Sequence, residues 1–541
     1  VGKRRKIPTK AELVQLQKLY RTDEKIGERL GGVPAYLVAY WRRKKGVPRH
    51  SLPKFSEKEI RSLWERHGDD DRCGLELGIS KAAFYNWRRR YNIREKPAFL
   101  KLEQLELAFP GMQTPSHSAA LWGKQTVAQK IIARAAGNLT IEVGDKVMAE
   151  PDLALVHECA PLVIEQFQNN TGDYVWNTLK TALSLCSEYP DVKVDIPNVH
   201  KTVREFASRQ RLKFLYDFSE GSARQVAIER GHVLPGQLEV GTSGHQTAFG
   251  ALAGLGWVIT PEQMALVLST GTVELTAPGS VRVDISGRRS RGVYTKDVAL
   301  SITQRLQKEP VAGKVVEYYG SAISHMTVSE RFTLCGMATA FGAVSAICQF
   351  DSSTRRYLMG RTTATLVPVL ADKNAVYEEV YQINIDHLVP QIAGPNGVQE
   401  IRPVAELENL PVRSIVIGTG TNGRFDDLRL AAEVVKGKTV HSDCRLAICP
   451  SSRATYLEAL KKGLIRVFAE AGAVVMTPGT YGAYGPAWSH LNEGERSLIT
   501  GSHLQINPAC AARGEVYLCS PVTAAASALN GAITDPTRYG K

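Results

Sequence analysis

A chain of 541 residues with 43% apolar and 22% charged positions is long enough for several buried cores, which excludes a disordered or fibrous protein. Its most apolar stretch, residues 248–259, is Gly-rich and shorter than the ~20 residues a spanning helix needs, so no membrane segment is expected. No apolar run follows Val1-Gly2-Lys3-Arg4-Arg5-Lys6, and the nine cysteines lack short-loop spacing, so a reducing, cytoplasmic setting is expected. The formal net charge is +13, but residues 1–100 hold 25 Lys/Arg against 12 Asp/Glu while the rest holds 42 of each, so the whole excess lies in the first hundred residues. Such asymmetry points to a basic module for nucleic acid or another acidic surface.

That basic region contains a degenerate repeat. Gly32-Val33-Pro34-Ala35-Tyr36-Leu37-Val38-Ala39-Tyr40-Trp41-Arg42-Arg43-Lys44-Lys45 aligns with Gly78-Ile79-Ser80-Lys81-Ala82-Ala83-Phe84-Tyr85-Asn86-Trp87-Arg88-Arg89-Arg90-Tyr91. Each copy opens with an amphipathic helix, over residues 11–20 and 56–66, and Ser56 with Glu59 has the spacing of a capping box. Short helices follow over 23–30 and 70–77, then a Gly-containing turn and a third helix ending in Trp and a basic run. Val33, Leu37 and Trp41 are expected on one buried face, as are Ile79, Ala83 and Trp87. This pattern resembles the homeodomain-like helix-turn-helix units of transposases and resolvases. The resemblance implies DNA as a partner, with Arg42, Arg43, Lys44, Lys45, Arg88, Arg89 and Arg90 meeting phosphates. The other reading is a pair of protein-docking units. The two repeats span residues 1–51 and 52–96, and a Pro-bearing linker spans 97–124.

From residue 125 onward a multi-domain α/β body is expected. In its C-terminal part, β-branched or apolar runs at 413–417, 445–449 and 473–476 alternate with helical patterns at 426–435 and 454–462. Strand, loop and helix in series build a parallel sheet, and ligands of such sheets sit beyond the carboxyl ends of the strands. Loops 418–424 and 450–453 each lead into a helix N-terminus, where backbone N–H groups favour a carboxylate or phosphate. Glycines in such loops are equally compatible with simple tight turns. Cys444 and Cys449 stand five apart on one strand, on opposite faces, which makes a poor metal-ligand pair.

The run Gly418-Thr419-Gly420-Thr421-Asn422-Gly423-Arg424 resembles the Gly-Ser-Cys-Thr-Asn-Gly-Arg signature of the aconitase superfamily, closest to the large subunits of 3-isopropylmalate dehydratase and homoaconitase. The opening helix at 126–134, Val233-Leu234-Pro235-Gly236 and Ala343-Val344-Ser345-Ala346 follow in family order. The resemblance implies an aconitase-like body of parallel sheets with helices, lacking the family's small swivelling domain. In the family a [4Fe-4S] cluster is held by three cysteines. Here those positions read Gly420 and, in Gly479-Thr480-Tyr481-Gly482-Ala483, Thr480 and Ala483, none of which supplies a thiolate. No cofactor is therefore expected. Family site motifs appear in altered form as Asp195-Ile196, Gly221-Ser222-Ala223-Arg224, Ser243-Gly244-His245-Gln246 and Thr500-Gly501-Ser502-His503.

By that resemblance Asp195, Arg224, His245, Thr500 and His503 are the catalytic candidates. Ser243, Thr421, Asn422, Arg424, Ser452, Arg453, Thr480 and Tyr481 are the ligand-binding candidates. Three functions are compatible with these residues. The first is a DNA-binding regulator whose cluster-free body senses a small carboxylate or mediates oligomerisation. The second is a cofactor-independent lyase or isomerase acting on a small hydroxy-carboxylate. The third is a structural partner of a separate small subunit. The localised charge and the altered site motifs favour the first.

Overall fold

The computed structural model describes residues 7–20, 22–47, 55–67, 70–91, 93, 123–170, 174–185, 195–479, 491–501 and 514–539. They belong to two compact units, residues 1–110 and 111–541. Among the described residues no helix is long and apolar enough to cross a membrane.

The first unit holds two three-helix bundles, α1 (Lys10–Tyr20), α2 (Asp23–Arg29) and α3 (Ala35–Lys44), then α4 (Glu57–His67), α5 (Asp70–Leu77) and α6 (Lys81–Arg90). Ser56 Oγ accepts the Glu59 N–H at 3.2 Å and Glu59 Oε2 accepts the Ser56 N–H at 3.3 Å, the capping box the sequence foretells. The buried centre of each third helix differs by one position from expectation. Val38 and Phe84 are fully buried, while Leu37 and Ala83 are half-buried. Trp41 is core, but Trp87 is half-buried, stacked on Tyr91 with centroids 6.0 Å apart.

Two of the basic residues assigned to phosphate contact are structural clamps. Arg42 donates from Nε and Nη2 to the Asp23 carboxylate, both at 3.1 Å, and from Nη1 to Val47 O at 3.1 Å. Arg88 repeats this arrangement on Asp70, at 2.8 and 2.9 Å, and on Ile93 O at 2.9 Å. A guanidinium with three of its five N–H donors committed in this way, and its charge paired with a carboxylate, holds the third helix against the second and has little left for a phosphate. Arg43, Lys44, Arg89 and Arg90 are exposed and Lys45 is half-buried.

The second unit is built on three parallel sheets wound in the same sense, beside an antiparallel pair, β1 (Lys146–Ala149) with β7 (Val273–Thr276). The first sheet has the order β4 (Phe214–Tyr216), β3 (Thr181–Ser184), β2 (Leu153–Val156), β5 (Leu238–Gly241), β6 (Leu255–Val258). The second has β10 (Ser345–Cys348), β9 (Val315–Tyr319), β8 (Ser280–Ser286), β11 (Glu379–Asn384). In the third, β16 (Val474–Val475), β15 (Arg445–Cys449), β14 (Ser414–Gly418), β17 (Arg496–Ile499) and β18 (Glu515–Cys519) run parallel. The edge strands β12 (Gln391–Ala393) and β13 (Ile401–Pro403) extend it antiparallel.

Among the parallel strands of each sheet the chain moves outward on one side of the first and then returns to the other side. The order therefore reverses between β2 and β5, between β8 and β11, and between β14 and β17. Such switch points open a crevice beyond the strand ends. Uninterrupted apolar runs explain the parallel arrangement: Leu153–Val156 and Ile415–Ile417 are buried on both faces. The body helices begin with strong caps. Thr126 and Gln129 form a capping box on the helix Val127–Ala135, one residue along from the expected start.

Candidate active site

Two of the three switch points meet. Beyond β2 and β5 come His157 and Ser243, and beyond β14 and β17 come the loop of residues 418–424 and Thr500. The two sets of loops are tied together by Gly221 and Ser452, which form an antiparallel bridge, and by the Ser222 N–H, which donates to Ser451 O at 2.9 Å. Ser452 caps the helix Arg453–Lys461 and donates from Oγ to Glu229 Oε1 at 2.7 Å.

The loop after β14 depends on its glycines. Gly418 has φ +122, and a Cβ there would lie 2.0 Å from Cys449 O, so no side chain fits. Thr500 latches this turn, its Oγ1 accepting the Gly418 N–H at 2.8 Å and donating to Gly418 O at 3.4 Å. Gly420 faces the opposite loops: a Cβ on it would stand 2.8 Å from Ser222 Oγ and 3.1 Å from Arg224 Nη2. Arg224 is buried and donates from Nη1 to Ser243 Oγ at 3.0 Å. Ser243 also receives the His245 backbone N–H at 3.4 Å.

Asn422 and Arg424 lock the loop to the helix Val328–Gly336. Thr333 Oγ1 accepts from Arg424 Nη2 at 2.6 Å and from Asn422 Nδ2 at 3.1 Å. Asp427 accepts from Asn422 Nδ2 and from the Arg424 N–H, both at 3.1 Å. The Arg424 guanidinium lies over the Phe332 ring, 4.6 Å from its centroid, and burial lowers its pKa. Burial likewise raises the pKa of Asp427.

Lys296, fully buried in the helix Thr295–Leu306, donates from Nζ to Thr500 O at 3.2 Å and to Gly501 O. Desolvation pushes its ammonium down to about 7. It holds the backbone just past β17 in place.

Several buried polar atoms on these loops have no hydrogen-bond partner in the protein: Ser222 Oγ, Asn422 Oδ1 and Arg424 Nε, with the His157 ring, whose Nδ1 lies 3.5 Å from the Glu158 carboxylate, also without a hydrogen bond. Buried polar groups are normally paired, so open ones on loops that converge from two sheets make this the candidate site. Burial also holds the His157 imidazole neutral, with its pKa lowered to about 4.

The other residues singled out from the sequence fall elsewhere. Asp195 is an exposed helix cap that accepts the Asn198 N–H at 3.2 Å, which corrects its assignment as a catalytic group. Arg453 is half-exposed and pairs with Glu220 at 2.9 Å. Thr421 is buried, and its carbonyl accepts from Thr333 Oγ1 at 3.4 Å. Thr480, Tyr481 and His503 lie outside the described residues.

Sequence reasoning missed Ser222, His157, Thr333 and Lys296. The signal for His157 was its place immediately after the four-residue apolar run of β2. The signal for Lys296 was a cation in the first turn of a helix whose middle, Val298 to Ile302, is largely apolar.

This is the architecture of a known family. A profile of the Aconitase family (aconitate hydratase) matches residues 145–410 and 398–531. The chain belongs to the aconitase family. It is 37% identical to the 3-isopropylmalate dehydratase large subunit 1 of Methanopyrus kandleri over 416 residues, 77% of this chain and 99% of that protein. It is 35% identical to the probable methanogen homoaconitase large subunit of Methanosarcina mazei, over 72% of this chain and all of that protein. The crystal structure of Thermococcus kodakaraensis aconitase X in its holo form matches with a TM-score of 0.41 and 12% identity, over 73% of this chain and 94% of that one.

No group of three or more His, Cys, Asp and Glu side chains among the described residues is placed to hold a metal ion. Cys444, just before β15, and Cys449, at its end, are buried and in no disulfide. At Gly420 the direction a side chain would take leads to the Arg224 guanidinium and the Ser222 hydroxyl.

Proposed function

We propose that this protein is a dehydratase-type lyase acting on a small hydroxy-carboxylate, without an iron–sulfur cluster and together with a separate small subunit. The aconitase-family match and the dehydratase and homoaconitase large subunits among its relatives support the reaction class. Their description as large subunits supports a small-subunit partner. The observation that carries the cluster-free reading is Arg224 Nη2 and Ser222 Oγ facing Gly420, with Gly and Thr in the family's cysteine signature. No thiolate is available there, and a cation already occupies the approach.

In this reading Arg224 binds a substrate carboxylate, and its charge stabilises the carbanion-like electron density that builds as the α-proton leaves. Ser222, Ser243 and the Asn422 carbonyl oxygen orient the substrate hydroxyl. His157, held neutral by burial, accepts the α-proton. His245, tied through its backbone to the Ser243 hydroxyl, protonates the departing hydroxyl, which leaves as water while the carbon–carbon double bond forms. Thr500 and Lys296 position the loops and touch no substrate.

The test is dehydration of a hydroxy-dicarboxylate panel by the anaerobically purified chain combined with its small subunit, followed by absorbance of the unsaturated product. Activity without stoichiometric iron and sulfide, reduced at least 100-fold in kcat/KM by Arg224→Lys, is expected. Stoichiometric iron and sulfide in the active protein would overturn the cluster-free reading.

The basic N-terminal unit favours a second, compatible activity, binding to duplex DNA. Arg43, Lys44, Arg89 and Arg90 are exposed in the last turns of α3 and α6 and carry this reading. Fluorescence anisotropy of the full chain with duplex DNA across a salt series tests it. Affinity that falls steeply with salt and is lost on Arg89→Glu with Arg90→Glu is expected. Binding indifferent to both salt and those changes would leave the unit as a protein-docking module.

A further inference from the structure

Two of the three switch points form the site described above; the third has a crevice of its own. There β8 and β11 run side by side, Ser286 opposite Asn384. The segments leaving them, with the one leaving β9, wall a cavity of about 690 Å³. That lies within the range of small-molecule pockets, and a switch point is where a parallel sheet places its ligand.

The wall is basic. Arg288, Arg289 and His325 line it against a single carboxylate, Asp386, and Arg291 follows in the same loop. The acidic groups nearby are already engaged. Asp386 Oδ1 accepts the Arg288 backbone N–H at 2.7 Å, and Glu330 pairs with Arg289 at 2.5 Å. The loop is also held in shape before any ligand arrives, because Ser290 Oγ donates to Asp386 O at 2.9 Å. The Arg288 side chain is exposed at the rim, and His325 is fixed by Nδ1 against Ser321 O at 2.7 Å.

We propose that this cavity is a second binding site, for a small polyvalent anion carrying phosphate or several carboxylates. Arg288 and His325 make the direct contacts, and Arg289 supplies further positive charge. Neither Arg224 nor the loop of residues 418–424 lines it. The two sites are mechanically connected all the same. Arg289 Nη1 also donates to Thr295 Oγ1 at 2.9 Å, next to Lys296, and Glu330 lies on the helix that carries Thr333. An anion that draws Arg289 away from Glu330 and Thr295 acts on the elements that hold Thr500 and Arg424.

Titration calorimetry on the full chain at low ionic strength tests this, with inorganic pyrophosphate in one arm and citrate in the other. Saturable one-to-one binding in at least one arm is expected, and the tighter arm identifies the ligand chemistry as phosphate or polycarboxylate. Arg288→Glu should weaken binding at least tenfold and His325→Gln about threefold, while Arg224→Lys leaves it unchanged. Each variant's ligand-free melting temperature controls for misfolding, and His325→Gln remains decisive if Arg288→Glu disturbs the loop. Absence of binding below millimolar concentration in both arms would overturn the proposal. So would binding that survives both substitutions, or that disappears with Arg224→Lys, which would place the anion in the first site.

Discussion

The N-terminal bundles and the switch-point site of the body both bury arginines, and they treat them in opposite ways. Arg42 and Arg88 meet a carboxylate two-to-two and a carbonyl besides, so their charge is paired within the bundle. Arg224 donates to the Ser243 hydroxyl and Arg424 to the Thr333 hydroxyl, with the Asp427 carboxylate 3.8 Å from Arg424, and Ser222 Oγ, Asn422 Oδ1 and Arg424 Nε are left with open hydrogen-bonding capacity. A complete network specifies a fold, whereas an incomplete one stores the desolvation cost that a ligand can relieve. Residue type alone therefore did not separate the arginines that clamp a helix pair from those at the candidate site; the chemistry of their partners does.

Removing a member of a complete network should produce the largest loss of stability. Arg88→Ala leaves Asp70 with a largely buried, unpaired charge and should destabilise the second bundle by about 3 kcal/mol. In so small a bundle that is enough to unfold it, with the body's melting unchanged. Hydrogen exchange resolved by segment would show α4–α6 exposed early; protection equal to wild type would mean the clamp is dispensable.

The open network predicts a dependence on pH. His157 has a folded pKa of about 4 against 6.5 unfolded, so between those values the unfolded chain takes up a proton that the folded chain does not. Its contribution is complete above pH 6.5 and is lost as pH falls toward 4, a change of roughly 3 kcal/mol at 1.36 kcal/mol per unit. Asp297, raised to about 7 by burial, works in the opposite direction, adding stability as pH falls from 7 toward 3.8. The difference between wild type and His157→Gln isolates the histidine. A constant difference in stability from pH 7 to pH 4 would show that the imidazole is not held neutral.

Gly420→Cys sharpens the comparison further. Its Cβ would crowd Ser222 Oγ at 2.8 Å and Arg224 Nη2 at 3.1 Å. A loss of about 1–2 kcal/mol is expected from this overpacking, together with no gain of iron in metal analysis. The smallest effect should come from Ser222→Ala. Its hydroxyl is buried without a partner, so removing it is expected to leave stability unchanged or raise it by up to about 1 kcal/mol. Under the proposed function the same change lowers turnover, and a stabilised variant with full activity would count against a role for Ser222.

Much of the third sheet was legible because its strands are uninterrupted apolar runs followed by Gly or Pro. The expected run at 445–449 is β15, and the expected helix at 426–435 starts one residue early at Phe425. The loop of residues 418–424 was recognisable from its signature alone. Partners distant in the chain were not legible. Nothing in Gly221-Ser222-Ala223-Arg224 reveals that it faces Gly420, because that contact comes from the packing of one sheet's loops against another's. Asp195 misled for the same reason: an Asp at the start of a helix looks identical whether it serves catalysis or capping, and here it caps. Arg42 and Arg88 looked like the free arginines beside them because Asp23 and Asp70 lie 19 and 18 residues away.

The bridge between Gly221 and Ser452 also bears on how the protein is made. The Ser452–Glu229 hydrogen bond next to it spans 223 positions of chain. Closing a loop of that length is entropically unfavourable until both sheets exist, and contacts of such separation form late. On the ribosome, the first sheet is complete long before Ser452 emerges. The nascent chain therefore presents Arg224 and Ser222 without the loop of residues 418–424, and no ligand can be gripped from both sides until synthesis has passed β15. Ligand can thus stabilise the finished protein but cannot template its early folding.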